Sequence, residues 1–339
     1  MGFPPCSIER NDRSTHLIVK VNHLRMRQVR LIASALVLGS MAACVPPTPP
    51  PVTTAPPPGA TGPSPGCGTT TRGPVTDRAE TVVVAGATRR FTVTVPPIHT
   101  PGTTTALPLV LDFHGLLEGW AGTHPYTTQF SAKAIAEGFV VAFPIGSDDG
   151  IYWDVALHEA NPDLQFIDAL VVELGRALCI DRSRMYITGL SFGGAMTSML
   201  ICMRANTFAA AAPVSGMRNL CTATQRMVPF VTFHGTDDPI LPYWGFAETP
   251  QRVAAKFGCG APRTSSVGSG PDPATGGAIV HTSWDCGGSS DAEFYRIDGG
   301  GHSWPGSDFF RQVAPIVGTT SSLDATDVIW DFFERHRLG

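Results

Sequence analysis

Apolar positions along the chain fall in short dense runs, separated by stretches rich in glycine, proline, serine and threonine. Leu107–Phe113 (LPLVLDF) and Phe139–Phe143 (FVVAF) are almost continuously apolar. That is the pattern of strands covered on both faces. Met185–Thr188, Phe208–Val214 and Phe230–His234 read as further strands, and Ala278–Thr282 and Glu293–Ile297 as late ones. Thr81–Val84 and Arg90–Val95 predict a hairpin at a sheet edge. Between these runs the period changes. After Pro162-Asp163, a helix start, Phe166, Ile167, Leu170, Val171, Leu174 and Leu178 recur at three- and four-residue spacing and share one helix face. Thr128–Glu137, Gly193–Met203, Thr249–Phe257 and Ala325–Arg337 also read as helices. Such alternation predicts an α/β fold with a mostly parallel central sheet, covered by helices on both faces.

The first 74 residues follow another pattern. Leu31–Ala43 (LIASALVLGSMAA) is an apolar run behind Arg25, Arg27 and Arg30. It is shorter than the roughly 20 residues of a bilayer-spanning helix and fits the apolar core of a secretory signal. The run ends Met41-Ala42-Ala43-Cys44, which resembles a bacterial lipobox. Residues 1–44 therefore read as an N-terminal extension and lipoprotein signal peptide, with Cys44 as the lipidated residue and membrane contact through that anchor. An ordinary cleaved signal is the alternative, and Met26 is a candidate start. Ten prolines lie between Val45 and Gly66. Residues 45–74 are expected to form a Pro/Thr-rich linker, its proline-dense part extending roughly 70 Å at ~3.1 Å per residue. Compact structure is expected from near Cys67, and residues 75–339 are expected to form the folded domain.

Composition narrows the function. Apolar residues make up 43% and charged residues 15% of the chain, which excludes disorder throughout. The formal net charge is −4, and Lys20, Lys133 and Lys256 are the only lysines. With no basic stripe, a nucleic-acid partner is not expected. Eight cysteines are present. Cys6 and Cys44 lie in the leader, and the other six are expected to be oxidised in an exported domain. Pairing neighbours in sequence joins Cys202 to Cys221 and Cys259 to Cys286, leaving Cys67 with Cys179. No CxxC pair exists, so no metal site of that kind is expected.

One motif carries chemistry. Gly189-Leu190-Ser191-Phe192-Gly193 follows a predicted strand and opens a predicted helix, the context of a nucleophile elbow. A serine hydroxyl needs a base to take its proton, and in such folds the acid and then the histidine follow the serine in the chain. Gly235-Thr236-Asp237-Asp238-Pro239 offers two acids just past a strand. Gly299-Gly300-Gly301-His302 offers a histidine in a loop, whereas His281 falls in a strand and His336 in the last helix. An oxyanion needs two donors. The candidates are the N–H groups of Phe192 and of Leu116, which follows His114-Gly115. His114 and His234 are expected to brace loops.

The segments GLSFGGAM, HGTDDPILPY and GGGHSWPG resemble the extracellular esterase family that contains polyhydroxybutyrate depolymerases and feruloyl or acetylxylan esterases. The resemblance covers roughly residues 79–335. It implies an α/β-hydrolase fold and carboxylic-ester hydrolysis through an acyl-enzyme, with no cofactor. Residue by residue it implies Ser191 as nucleophile, Asp238 as acid and His302 as base. The chain departs from the family in having Leu116-Leu117 after the His-Gly pair and in showing no added substrate-binding domain. The connection between Val214 and Pro229 is too short for a lid domain. Trp153, Tyr243 and Trp304 are expected at the rim of an open cleft, where they could stack on a substrate ring. The expectation is thus a monomeric esterase with a small or polymeric ester substrate, secreted or tethered at the cell envelope. A serine peptidase on the same fold and a non-catalytic binding lipoprotein are the alternatives.

Overall fold

The computed structural model describes residues 59–339 apart from 223–224 and 289–290. Cys44 and the run before it lie outside the described residues. Ten described strands build one sheet: β1 Val75–Val84, β2 Ala87–Val95, β3 Leu107–Phe113, β4 Val140–Pro144, β5 Ile180–Leu190, β6 Ala210–Val214, β7 Phe230–Gly235, β8 Arg263–Ser266, β9 Ile279–Asp285 and β10 Asp291–Ile297. Their spatial order is β1-β2-β4-β3-β5-β6-β7-β10-β9-β8. From β4 to β10 every neighbouring pair is parallel, and the antiparallel pairs lie towards the two edges.

The alternation of side chains explains the layering. On β3, Leu109, Leu111 and Phe113 enter one core with Leu170, Leu174, Met196 and Leu200 from two helices. Val110 points the other way, into a core with Phe139, Ile329, Trp330 and Phe333. A strand whose successive residues feed two cores must be covered on both faces. Each fully buried large apolar side chain contributes ~1.5–3 kcal/mol. The helix Pro162–Ala177 starts where Asn161 Oδ1 accepts the N–H groups of Asp163 and Leu164 at 2.9 and 3.0 Å. Pro162 fills a first-turn position that needs no donor.

Several expectations shift. The helix expected over Thr128–Glu137 is two, His124–Thr128 and Phe130–Glu137, broken at Gln129 with φ 59°. β1 and β5 begin earlier than expected, and β6 starts at Ala210 rather than Phe208. The strand Arg263–Ser266 and the helix Asp308–Val317 were not expected. The former reads RTSS, exposed throughout, so no apolar signal marks it. The described residues between β6 and β7 form no helix or strand.

Packing also begins ahead of residue 75. Ser64 Oγ donates to Leu178 O at 2.8 Å and accepts from Ile180 N at 2.9 Å. Gly66 N donates to Gly175 O, and Gly59 N to Asn206 O. Of the stretch read as linker, residues 59–74 thus lie against the domain. Among the described residues three disulfides form, Cys67–Cys179, Cys202–Cys221 and Cys259–Cys286. The first ties this incoming segment to the junction between the helix Pro162–Ala177 and β5.

Candidate active site

Because β3, β5, β6, β7 and β10 are parallel, the loops after them gather at one edge of the sheet. Ser191 follows β5 directly and precedes the helix Phe192–Met203. Its φ of 58° and ψ of −111° lie where an L-residue is strained. Ser191 N–H donates to Val214 O at 2.9 Å. The turn is tight: a Cβ on Gly193 would overlap Phe113 O, and one on Gly216 would overlap Ser191 O. Phe192 N–H, the first of the helix, has no acceptor within it and lies at the positive end of the helix dipole.

The same spacing recurs at Gly62-Pro63-Ser64-Pro65-Gly66. There the hydroxyl is buried and engaged by Leu178 and Ile180. No strand–turn–helix surrounds it, so only the turn at Ser191 presents its hydroxyl at a strand end.

Past β7, Asp238 is buried and every oxygen is used. Oδ1 accepts from the N–H groups of Ile240 and Leu241 at 2.8 and 2.7 Å. Oδ2 accepts from His302 Nδ1 at 2.7 Å. Burial alone would raise the carboxyl pKa, but the bond from His302, its charge and the two backbone donors outweigh that and hold it below the usual range. An ionised carboxylate cannot donate, so Nδ1 donates in that bond and Nε2 is the ring nitrogen left without a partner in the protein. Asp237 faces solvent and ties the loop by its N–H, which donates to Gly300 O at 2.9 Å. The structure thus joins Asp238, not Asp237, to His302. Ser191 Oγ has no hydrogen bond to His302. The turn and the histidine loop are linked one step away, through Val214 and through Ser215 Oγ, which donates to Ser303 O at 3.4 Å.

The other histidines fall into place. His234 Nε2 donates to Leu241 O at 2.9 Å, and its ring stacks on Phe246, so it supports the Asp238 loop. Burial lowers its pKa. His114 Nδ1 donates to Gly115 O at 2.7 Å and Nε2 accepts from Gly146 N at 2.9 Å. Burial lowers its pKa to about 4 and keeps it neutral. His281 meets Glu293 across β9 and β10, away from the loops. His336 Nδ1 donates to Phe332 O.

Two of the three expected rim aromatics are in the wrong place for that role. Trp153 and Trp304 are each only 1% exposed. Their indole N–H groups donate to His114 O and Thr326 Oγ1, both at 2.9 Å, so both are structural braces. Tyr243 is half-buried beside His234. The exposed apolar surface lies on neighbours instead: Leu116, Leu117 and Trp120 after β3, Tyr152 after β4, and Ile240 and Trp244 after β7, with Trp244 86% exposed. Leu116 and Leu117 were visible as apolar residues in a loop after a strand. Trp120 and Trp244 carry no periodic signal. Among the described residues no cluster of metal-ligating side chains is present, and no helix is long and apolar enough to cross a membrane.

Comparison with known proteins adds the family context. The model of the prolyl oligopeptidase family matches residues 126–239. A bifunctional acetylxylan esterase/xylanase of Neocallimastix patriciarum is 28% identical over 74% of this chain and 34% of its own length. Feruloyl esterase C of Emericella nidulans is 32% identical over 50% of this chain and 57% of its own. The chain therefore spans between a third and three fifths of these curated relatives. The structure of an acetyl xylan esterase from Aspergillus awamori superposes with a TM-score of 0.54 at 18% identity, covering 76% of this chain and 99% of that one. The chain has the α/β-hydrolase fold, and it is related in sequence to feruloyl and acetylxylan esterases.

Proposed function

We propose that the protein is a serine carboxylic-ester hydrolase. The observation that carries this reading is the 2.7 Å bond from His302 Nδ1 to a buried Asp238, on loops beside the strained Ser191 turn. In this reading Ser191 Oγ attacks the ester carbonyl as His302 Nε2 takes its proton. Asp238 holds the imidazole tautomer and stabilises the imidazolium. The N–H groups of Phe192 and Leu116 receive the oxyanion. His302 then protonates the leaving alcohol, and water activated by the same nitrogen releases the acid from the acyl-serine. No cofactor takes part. The substrate class is a feruloyl or acetyl ester on a polysaccharide, a polyhydroxyalkanoate or a related polyester. Three disulfides fit an oxidising compartment, with residues 1–44 as export signal and Cys44 as the anchor to the envelope of a monomeric enzyme.

A peptidase is the second reading, favoured by the prolyl oligopeptidase match. That match includes Ser191 and Asp238 but stops short of His302. Hydrolysis of p-nitrophenyl acetate, a feruloyl ester and peptide p-nitroanilides by wild type and Ser191→Ala tests the choice. Serine-dependent turnover of the esters alone is expected. Serine-dependent turnover of the anilides alone would replace the esterase with a peptidase, and no turnover of either would leave the binding-protein alternative.

A further inference from the structure

The loop that carries Leu116 rests on charged side chains that the proposed chemistry does not use. Asp112, on β3, is fully buried, and its Oδ1 lies 2.8 Å from His124 Nε2. Thr128 Oγ1 donates to its Oδ2 at 2.6 Å. His124 Nδ1 lies 3.1 Å from Glu118 Oε2. Both ring nitrogens face carboxylate oxygens, so both donate and the ring is an imidazolium. Burial opposes that charge, but Asp112 and Glu118 outweigh it and raise the His124 pKa to about 10. Glu118 Oε1 accepts from Thr127 Oγ1 at 2.8 Å, and Oε2 accepts Gly115 N–H at 2.6 Å. Every carboxylate oxygen of the set has a donor. Its contact with the candidate oxyanion loop is that Gly115 N–H.

The consequence is geometric. All described peptides are trans, so the C=O and N–H of one unit point in opposite directions. The unit between His114 and Gly115 is held at both ends, its N–H by Glu118 and its C=O by Trp153 Nε1–H. In the next unit Gly115 C=O is taken by His114 Nδ1–H, which turns Leu116 N–H away from the histidine. Leu117 N–H is used by Ile151 O. Leu116 N–H is left as the amide of this loop with no partner in the protein. A Cβ on Gly115 would lie 3.5 Å from Leu190 O, so the loop sits against the residue before Ser191.

We propose that Glu118 is a positioning residue: fixed by the buried His124–Asp112 pair, its carboxylate holds Gly115 N–H and so presents Leu116 N–H to the oxyanion. This rests on the esterase reading with Ser191 as nucleophile. Gly115 has no side chain to limit its backbone. Without Glu118 the peptide before Gly115 keeps only the Trp153 bond at its C=O, and the aim of the donor loosens.

The test compares wild type, Glu118→Ala and Glu118→Gln by the rate of active-site labelling with a fluorophosphonate, by kcat and KM on p-nitrophenyl acetate, and by Tm. Removing an oxyanion donor outright lowers kcat about 10²–10³-fold, so misaiming one in Glu118→Ala is expected to slow labelling and kcat by about tenfold or more, with KM within about twofold. Glu118→Gln keeps an acceptor for Gly115 N–H and is expected to recover most of both rates. If Glu118→Ala does not fold, Thr127→Val, which removes one donor from the carboxylate, is expected to lower kcat a few-fold at unchanged KM. Absence of labelling in wild type would remove the nucleophile reading and this role with it. A labelled wild type with Glu118→Ala equally fast, with the two Glu118 variants equally slow, or with only KM changed, would overturn the positioning role alone.

Discussion

The two halves of the site are held by different means. On the acid–base side, backbone does most of the holding. Two N–H groups fix Asp238, His302 N–H donates to Val317 O and Gly301 N–H to Thr319 O, and Asp237 N–H closes onto Gly300. On the oxyanion side, side chains hold the backbone: His114, Trp153, Glu118 and, behind them, His124 and Asp112. Backbone networks tolerate change in the surrounding side chains. A buried charged network does not, because removing one member leaves another unpaired. The first half should therefore lose activity mainly at the reacting groups, and the second at its supports as well.

The largest expected effect lies on the acid–base side. An Asp→Asn change in a serine protease triad lowers kcat by ~10⁴, and Asp238→Asn should fall by a comparable factor in kcat on a short ester, with circular dichroism unchanged. A near-normal Asp238→Asn would break the comparison at its strongest point. Next is the distal tether of the histidine loop. Asp272 accepts from Ser321 Oγ, Ser322 N and Ser322 Oγ at 2.5, 2.9 and 2.9 Å. These bonds and the N–H groups of Ala274 and Thr275 outweigh burial and lower its pKa to about 2. Hydrogen bonds to charged groups contribute ~1.5–3 kcal/mol, so Asp272→Ala should lose about that much in urea unfolding. An unchanged midpoint would remove the tether.

A smaller effect separates two supports of the oxyanion side by pH. His114, lowered to about 4, takes up its proton later in the folded than in the unfolded state. It contributes stability above the unfolded value of ~6.5, lost as pH falls from there towards 4. His124, raised to about 10, contributes below ~6.5 and loses its contribution as pH rises towards 10. Tm should therefore decline on both sides of near-neutral pH, and His124→Gln should flatten the alkaline limb alone. An alkaline limb that survives in this variant would assign it elsewhere. The smallest expected effect is at Asp237, whose exposed side chain makes only a contact from Thr236 Oγ1. Exposed charges contribute little, so Asp237→Asn should stay within about tenfold of wild-type kcat/KM.

Legibility follows the same division. The strands β3, β4, β6 and β7 are readable because continuous apolar runs have few other uses. The serine turn is readable because a glycine-flanked serine between a strand and a helix needs small neighbours. Asp238 and Asp237 are adjacent and alike; the resemblance selects Asp238, and the bond from His302 joins that residue to the histidine. Trp153 and Trp304 mislead because a tryptophan in a loop looks the same whether its N–H meets solvent or a buried carbonyl. Asp112, Glu118 and His124 have no motif, since their spacing matters only once Gln129 breaks the helix and β3 brings Asp112 beneath it. Ser64 shows the converse, a motif match whose hydroxyl is consumed by packing.

The central claim is that Ser191 is a nucleophile activated by His302. Peptide-mapping mass spectrometry after fluorophosphonate treatment tests it without knowledge of the substrate. The account predicts one adduct per chain, on the peptide containing Ser191, formed at a rate that collapses in His302→Ala although the variant remains folded. No adduct, an adduct on another serine, or labelling of Ser191 at an undiminished rate in His302→Ala would contradict it.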